Sequence, residues 1–135
     1  METQTISHIN ALALWVLAAE LTPDQKFLQC CQGDKRIAAP CHYLCSFSKL
    51  NKKTLIDAYL RKTCPGKSVK PLMDCASSKR DHTKCCKKKG LSSYAAGACL
   101  EFCHPSAGLP GMNPKYLPCL DILTTVTQCY ASNMS

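Results

Sequence analysis

The most reactive groups in this 135-residue chain are its 12 cysteines, and they form a pattern. Cys30, Cys31, Cys41, Cys45, Cys64 and Cys75 make one set of six, and Cys85, Cys86, Cys99, Cys103, Cys119 and Cys129 make a second. Each set opens on an adjacent Cys-Cys pair. Thiols at this density can attack as nucleophiles, bind metal or pair. The even count and the complete matching of the two sets leave no cysteine spare to be a nucleophile. Zinc would suit Cys41-His42-Tyr43-Leu44-Cys45 and Cys103-His104, where imidazole stands beside thiol, yet it would compete for the same sulfurs with disulfides in an oxidising compartment. The expectation is twelve paired cysteines, with no metal and no cofactor.

Acid/base chemistry would need His42, His82 or His104 to work with a carboxylate from Asp24, Asp34, Asp57, Asp74, Asp81, Glu101 or Asp121. A disulfide-rich secreted phospholipase would place His-Asp a few residues after Cys-Cys, downstream of a Gly-rich calcium loop. Here Asp81-His82 precedes Cys85-Cys86, and no such loop stands upstream. The histidines are therefore expected at the surface or half-buried, no catalytic residue is assigned, and a small secreted hydrolase is a remote alternative.

The strongest charge signal is basic. The net charge is +8, and Lys79, Arg80, Lys84, Lys87, Lys88 and Lys89 run together with Asp81 as the one acid among them. Lys49, Lys52, Lys53, Arg61, Lys62, Lys67 and Lys70 form a second concentration. Such runs either solvate a face or bind anions, so the first is the candidate patch for an acidic receptor surface or a sulfated glycan.

Positioning these groups calls for helices. Thr22-Pro23-Asp24-Gln25 carries an N-cap, a first-turn proline and a Gln three residues on, which predicts a helix through Cys30-Cys31 to Gly33. Asn51 is expected to cap a helix over 52–63 that ends at Pro65-Gly66, with Leu55, Ile56, Tyr59 and Leu60 at helical spacing. A short helix is expected over 71–77. Asp81 is expected to cap another that runs to Lys89 and stops at Gly90. Ser93 to Cys103 reads as a helix ended by Pro105, and a last helical region runs from Asn113-Pro114 to about Tyr130, interrupted near Pro118. No stretch alternates with period two for long. Adjacent cysteines on a helix point about 100° apart, so Cys30 and Cys31 must reach different partners. Which sulfur meets which stays open.

The two sets repeat each other. Offsets between matched cysteines are 55, 55, 58, 58, 55 and 54 residues, Cys41-His-Tyr-Leu-Cys45 answers Cys99-Leu-Glu-Phe-Cys103, and Tyr59-Leu60 before Cys64 answers Tyr116-Leu117 before Cys119. The fold class expected is all-α: a small disulfide-stapled helical domain built from a duplicated six-cysteine unit, with sub-repeats at about 30–75 and 85–129. Ahead of it, residues 9–19 form an apolar stretch ending in small residues. That is the length of a signal-peptide core and short of the roughly 20 apolar residues that span a bilayer. Residues 1–19 are accordingly expected to be cleaved, leaving 20–135 as a secreted domain.

The run Cys75-Ala-Ser-Ser-Lys-Arg-Asp-His-Thr-Lys-Cys85-Cys86, with Cys99-Leu-Glu-Phe-Cys103 and Tyr116-Leu-Pro-Cys119-Leu120, resembles the DB module, a cysteine-rich extracellular family of nematodes. The resemblance extends back to Cys30, with all twelve cysteines in register. His82 and His104 depart from the residues that pattern leads one to expect. The resemblance implies a secreted or ectodomain module with six disulfides and no established catalysis. The function expected is therefore non-catalytic binding of an extracellular protein, and nucleic acid is not an expected partner. The alternative is a cationic lipid- or membrane-binding effector.

Overall fold

The computed structural model describes residues 21–108 and 114–134, so the expected signal segment and most of the loop around Pro110 lie outside the described residues. Among those residues there are helices and no strand. Helix α1 spans Pro23–Gly33, α2 Lys52–Arg61, α3 Val69–Ser77, α4 Thr83–Lys88, α5 Pro105–Gly108 and α6 Leu123–Ser132. Short 3-10 helices lie at Ala39–Leu44, Gly66–Ser68, Tyr94–Cys103 and Pro114–Ile122.

Two of the three expected caps form where the sequence puts them. Thr22 Oγ1 accepts the Gln25 N–H at 3.1 Å while Gln25 Oε1 accepts the Thr22 N–H at 2.8 Å, closing a reciprocal capping box. Asn51 does the same for α2 with Thr54 as its partner. That helix stops at Arg61, short of the expected 63, because Lys62 takes a left-handed conformation, φ 55°, and turns the chain. The expectation that Asp81 caps α4 is corrected: the helix starts one residue later than that cap requires. His82 is the N-cap of α4, and Asp81 Oδ1 accepts the Thr83 N–H at 2.9 Å from outside the helix.

Two expected helices are corrected. The segment over 93–103 is a 3-10 helix broken by left-handed backbone at Ala95, Ala96 and Gly97. Periods of 3.0 and 3.6 are hard to tell apart over two turns, and Gly97 at φ 84° supplies a conformation that an uninterrupted α-helix does not use. In the last region Pro118 is tolerated inside the 3-10 helix Pro114–Ile122, and the break falls after Ile122.

Helix α3 is the centre of the core: Pro71 through Ser77 are all buried, and the helix packs against α1, α5 and α6. The buried apolar residues of both halves belong to one cluster, among them Phe27, Leu44, Leu72, Met73, Phe102, Val126 and Tyr130. The sequence suggests two subunits packed side by side, but α3, which carries the last cysteine of the first set, is packed by elements of both. At the other extreme, α2 buries only Ala58 and is the least embedded of the long helices.

Candidate functional site

All twelve cysteines are bonded, and no bond leaves its own set. Cys30–Cys75, Cys31–Cys45 and Cys41–Cys64 close the first half; Cys85–Cys129, Cys86–Cys103 and Cys99–Cys119 close the second. Matched cysteines have matched partners throughout. Each adjacent pair sends one sulfur to the last cysteine of its set and the other to the fourth, as divergence around a helix requires. Each loop closure contributes roughly 2–4 kcal/mol against the unfolded chain.

Apart from the backbone itself no covalent link joins the halves, since no disulfide crosses between them, and His82 lies at the joint. Its N–H donates to Cys103 O at 2.7 Å, its Nε2 meets Ser77 O at 2.7 Å, and Asn133 Nδ2 lies 2.9 Å from its Nδ1. Because Ser77 O can only accept and the Asn133 amide can donate, Nε2 carries the proton and Nδ1 accepts. The ring packs on Tyr130, centroids 5.0 Å apart, and the Tyr130 hydroxyl donates to Phe102 O. Burial raises the Tyr130 hydroxyl pKa, and the Asp74 carboxylate adds to that rise. His82 is 2% exposed, so the expectation of a surface or half-buried histidine is corrected for this residue. The cost of burying an imidazole is offset by filling both its nitrogens. The signal was its position in a capped turn, but sequence alone cannot show that Ser77 and Asn133 converge there.

His42 and His104 are half-buried, as expected. His42 Nε2 is buried without a hydrogen-bond partner, and His104 Nδ1 lies 3.7 Å from Asp81 Oδ2. Among the described residues no group of His, Cys, Asp and Glu could hold a metal ion. Asn133 is exposed, while its amide reaches His82.

The basic run divides. Lys79, Arg80, Lys84, Lys87, Lys88 and Lys89 are all exposed. Arg80 Nη1 donates to Asn133 O at 2.8 Å, and Lys26 Nζ to Met134 O at 2.8 Å, so two cations serve the carbonyl end of α6. Lys79 lies beside them in left-handed backbone, where its carbonyl accepts from Ser106 Oγ. Lys84, Lys87 and Lys88 occupy one arc of α4, opposite buried Cys86, and Lys89 follows at its end. No carboxylate among the described residues pairs with any of these four. The structure thus keeps Lys84, Lys87, Lys88 and Lys89 as a free basic face and gives Arg80 a structural task.

The sequence run that singled out α4 had no counterpart for a second feature: Tyr59 and Leu60, on α2, project 75% and 69% exposed. Helical spacing placed both on a helix and left open which way they face. Only their surroundings in space show it.

No helix among the described residues is long and apolar enough to cross a membrane. No curated protein and no solved structure matches the chain significantly. The family model of the DB module matches residues 30–130, from the first cysteine of the first set to one residue past the last of the second. With that match spanning most of the chain and its twelve cysteines closed into six disulfides, the protein belongs to the DB module family.

Proposed function

We propose that this protein is a secreted, non-catalytic module that binds an extracellular protein, using the unpaired basic face of α4 against an acidic receptor surface or a sulfated glycan. The observation that carries the reading is the combination at α4: four lysines without a carboxylate partner, on a helix fixed by Cys85–Cys129 and Cys86–Cys103. A face held by covalent links loses little conformational freedom on binding, which favours recognition by preformed shape. The absence of catalysis is part of the same reading. It is supported by the full pairing of the thiols and by the use of both His82 nitrogens in holding the halves together.

Exposed charges act through a field screened beyond about 8 Å at physiological salt. Retention on heparin or on an acidic partner should therefore weaken as salt rises. Replacing Lys84, Lys87 and Lys88 together by Glu should abolish retention with little change in thermal stability, because exposed substitutions away from caps shift stability by about half a kcal/mol. Equal retention of the folded variant at low salt refutes the role of this face. Cross-linking of the oxidised protein on intact cells, read by mass spectrometry, tests the broader reading, and recovery of no protein adduct refutes it.

A further inference from the structure

Ile56, Tyr59 and Leu60 recur at the spacing of a buried stripe, yet α2 turns Leu55 and Ala58 inward and leaves these three outside. The second half shows what the matching aromatic does when it packs. Tyr116, the counterpart of Tyr59, is 4% exposed, its ring meets Phe102 edge to face at 5.1 Å, and its hydroxyl donates to Glu101 Oε2. Leu44 is the counterpart of Phe102 and is buried at the bottom of an apolar crevice, with Leu55, Ala58, Leu72 and Met73 as the other walls. The first half therefore keeps the wall without the aromatic that covers it.

The crevice opens at Tyr59, Cys64 and Gly66, and the same three residues begin a shallow groove bounded by Leu60, Lys62 and Pro65. The left-handed turn at Lys62 and the Cys41–Cys64 bond bring Pro65-Gly66 back alongside Tyr59. Charge around this groove is one-sided. Residues 49–70 carry seven cations and one acid, Asp57. Lys52 pairs with Asp121 at 2.5 Å and Lys70 with Asp74 at 3.6 Å, whereas Arg61, Lys62 and Lys67 are exposed and have no carboxylate partner among the described residues.

We propose that this groove docks a segment of an extracellular protein that inserts one aromatic or large aliphatic side chain between Tyr59 and Gly66 and sets flanking carboxylates over Arg61, Lys62 and Lys67. It rests on the reading that the module binds an extracellular protein. The crevice under Tyr59 and the unpaired cations beside it favour a protein segment over a bilayer, because a flat interface can meet the protruding Tyr59 and Leu60 but cannot reach into the crevice between Tyr59 and Gly66.

The test uses the oxidised, isotope-labelled chain and a fluorescein-labelled peptide of Glu and Asp residues around a central Phe-Leu. Saturable binding is expected, with amide shift changes at Leu55, Ala58, Tyr59, Gly66 and Met73. Leu60→Glu should weaken it about tenfold or more, and Lys62→Glu with Lys67→Glu several-fold, both with disulfides and melting unchanged. A peptide with Ser-Ser in place of Phe-Leu should bind about tenfold more weakly. Equal binding of the Ser-Ser peptide, shifts confined to Lys84–Lys88, or no binding up to about 1 mM overturns the proposal. So does binding to phosphatidylserine vesicles through Tyr59 in the absence of peptide binding, which assigns the surface to a membrane. Cell-surface adducts formed through α4 and unaffected by Leu60→Glu would remove the groove while leaving the broader reading intact; absence of any protein adduct removes both.

Discussion

The two halves have the same disulfide pairing and different interiors, and the difference lies in where one tyrosine goes. In the second half Tyr116 closes onto Phe102 and is tied to Glu101, and the 3-10 helix Pro114–Ile122 lies flat on the core. In the first half Tyr59 stands on the outside of α2, with a crevice beneath it. Three more residues separate the third sulfur from the fifth than in the opposite half's shorter connection: Cys41 to Cys64 is a separation of 23, Cys99 to Cys119 one of 20. Those three residues allow α2 a full α-helix with its own capping box, and an α-helix carries Tyr59 away from the wall that the tighter 3-10 path lets Tyr116 reach. A shared covalent frame thus leaves one half closed and the other open.

That comparison is most sharply broken at the tyrosines themselves. Tyr116→Ala should cost about 3–5 kcal/mol, the usual range for truncating a packed buried aromatic, whereas Tyr59→Ala should stay within about 0.5 kcal/mol. Urea unfolding of the two variants measures both. Similar losses would mean that Tyr59 is packed in solution and that the first half is closed as well.

Next in size are the bonds that hold the two connections. Replacing Cys99 and Cys119 by Ala, both buried, should cost about 2–5 kcal/mol and loosen the second half cooperatively. Replacing Cys41 and Cys64 should cost toward the lower end, because α2 is little embedded, and should release it locally. Hydrogen exchange read by mass spectrometry distinguishes the two outcomes: rapid exchange confined to about 50–66 in the Cys41/Cys64 variant is the expected pattern. Protection lost throughout the chain would make α2 part of the core.

How much of this could be read beforehand depended on the range of the signal. The capping residues Thr22, Gln25 and Asn51 act on backbone groups three residues away, and the divergence of Cys30 from Cys31 is a matter of one helical turn, so both are legible in the sequence. The inversion of Tyr59 relative to Tyr116 is not. It depends on whether Leu44 or Phe102 stands opposite, 15 or so residues away, and on which helix type spans the gap. The break at Ala95–Gly97 escaped for a related reason: short helical periodicities overlap, and left-handed alanines carry no signature of their own. For the candidate surfaces, charge order marked Lys84, Lys87 and Lys88, while the task of Arg80 and the burial of His82 required the last turn of α6 to be placed in space.

His82 is where the halves meet, and it offers a smaller test of how strongly they depend on each other. His82→Ala leaves the buried Ser77 carbonyl and the Asn133 amide without their partner, a loss of about 1–3 kcal/mol. Because no disulfide crosses the joint, the loss should appear as separated transitions for the two halves, and calorimetry is the measurement. One sharp transition at a lowered temperature would show that packing of α3 against α5 and α6 couples them without His82.

The smallest expected effect compares the acid that each half places beside its Cys-Cys helix. Asp34 follows α1 and accepts from the Arg36 guanidinium and backbone N–H, which hold its pKa down, from 3.8 to about 2. Asp81 precedes α4 and is lowered by hydrogen bonds from the Thr83 hydroxyl and N–H. A carboxylate whose folded pKa lies below its unfolded one adds stability above the unfolded value, near pH 4, and that contribution is lost as pH falls through the folded value. For Asp34 the window runs from about pH 4 down to about 2. Asp81 is exposed, and Asp34 is half-buried but bonded to an exposed Arg36, so screening limits each contribution to about half a kcal/mol. Asp34→Asn should therefore lower the urea midpoint slightly at pH 7 and leave it unchanged near pH 2. Asp81→Asn should do less, since the amide oxygen can still accept the Thr83 N–H and only the charge is lost. A larger effect at Asp81 than at Asp34 would mean that its charge, acting on His104 3.7 Å away, matters more to the second half than the hydrogen bonds it accepts from Thr83.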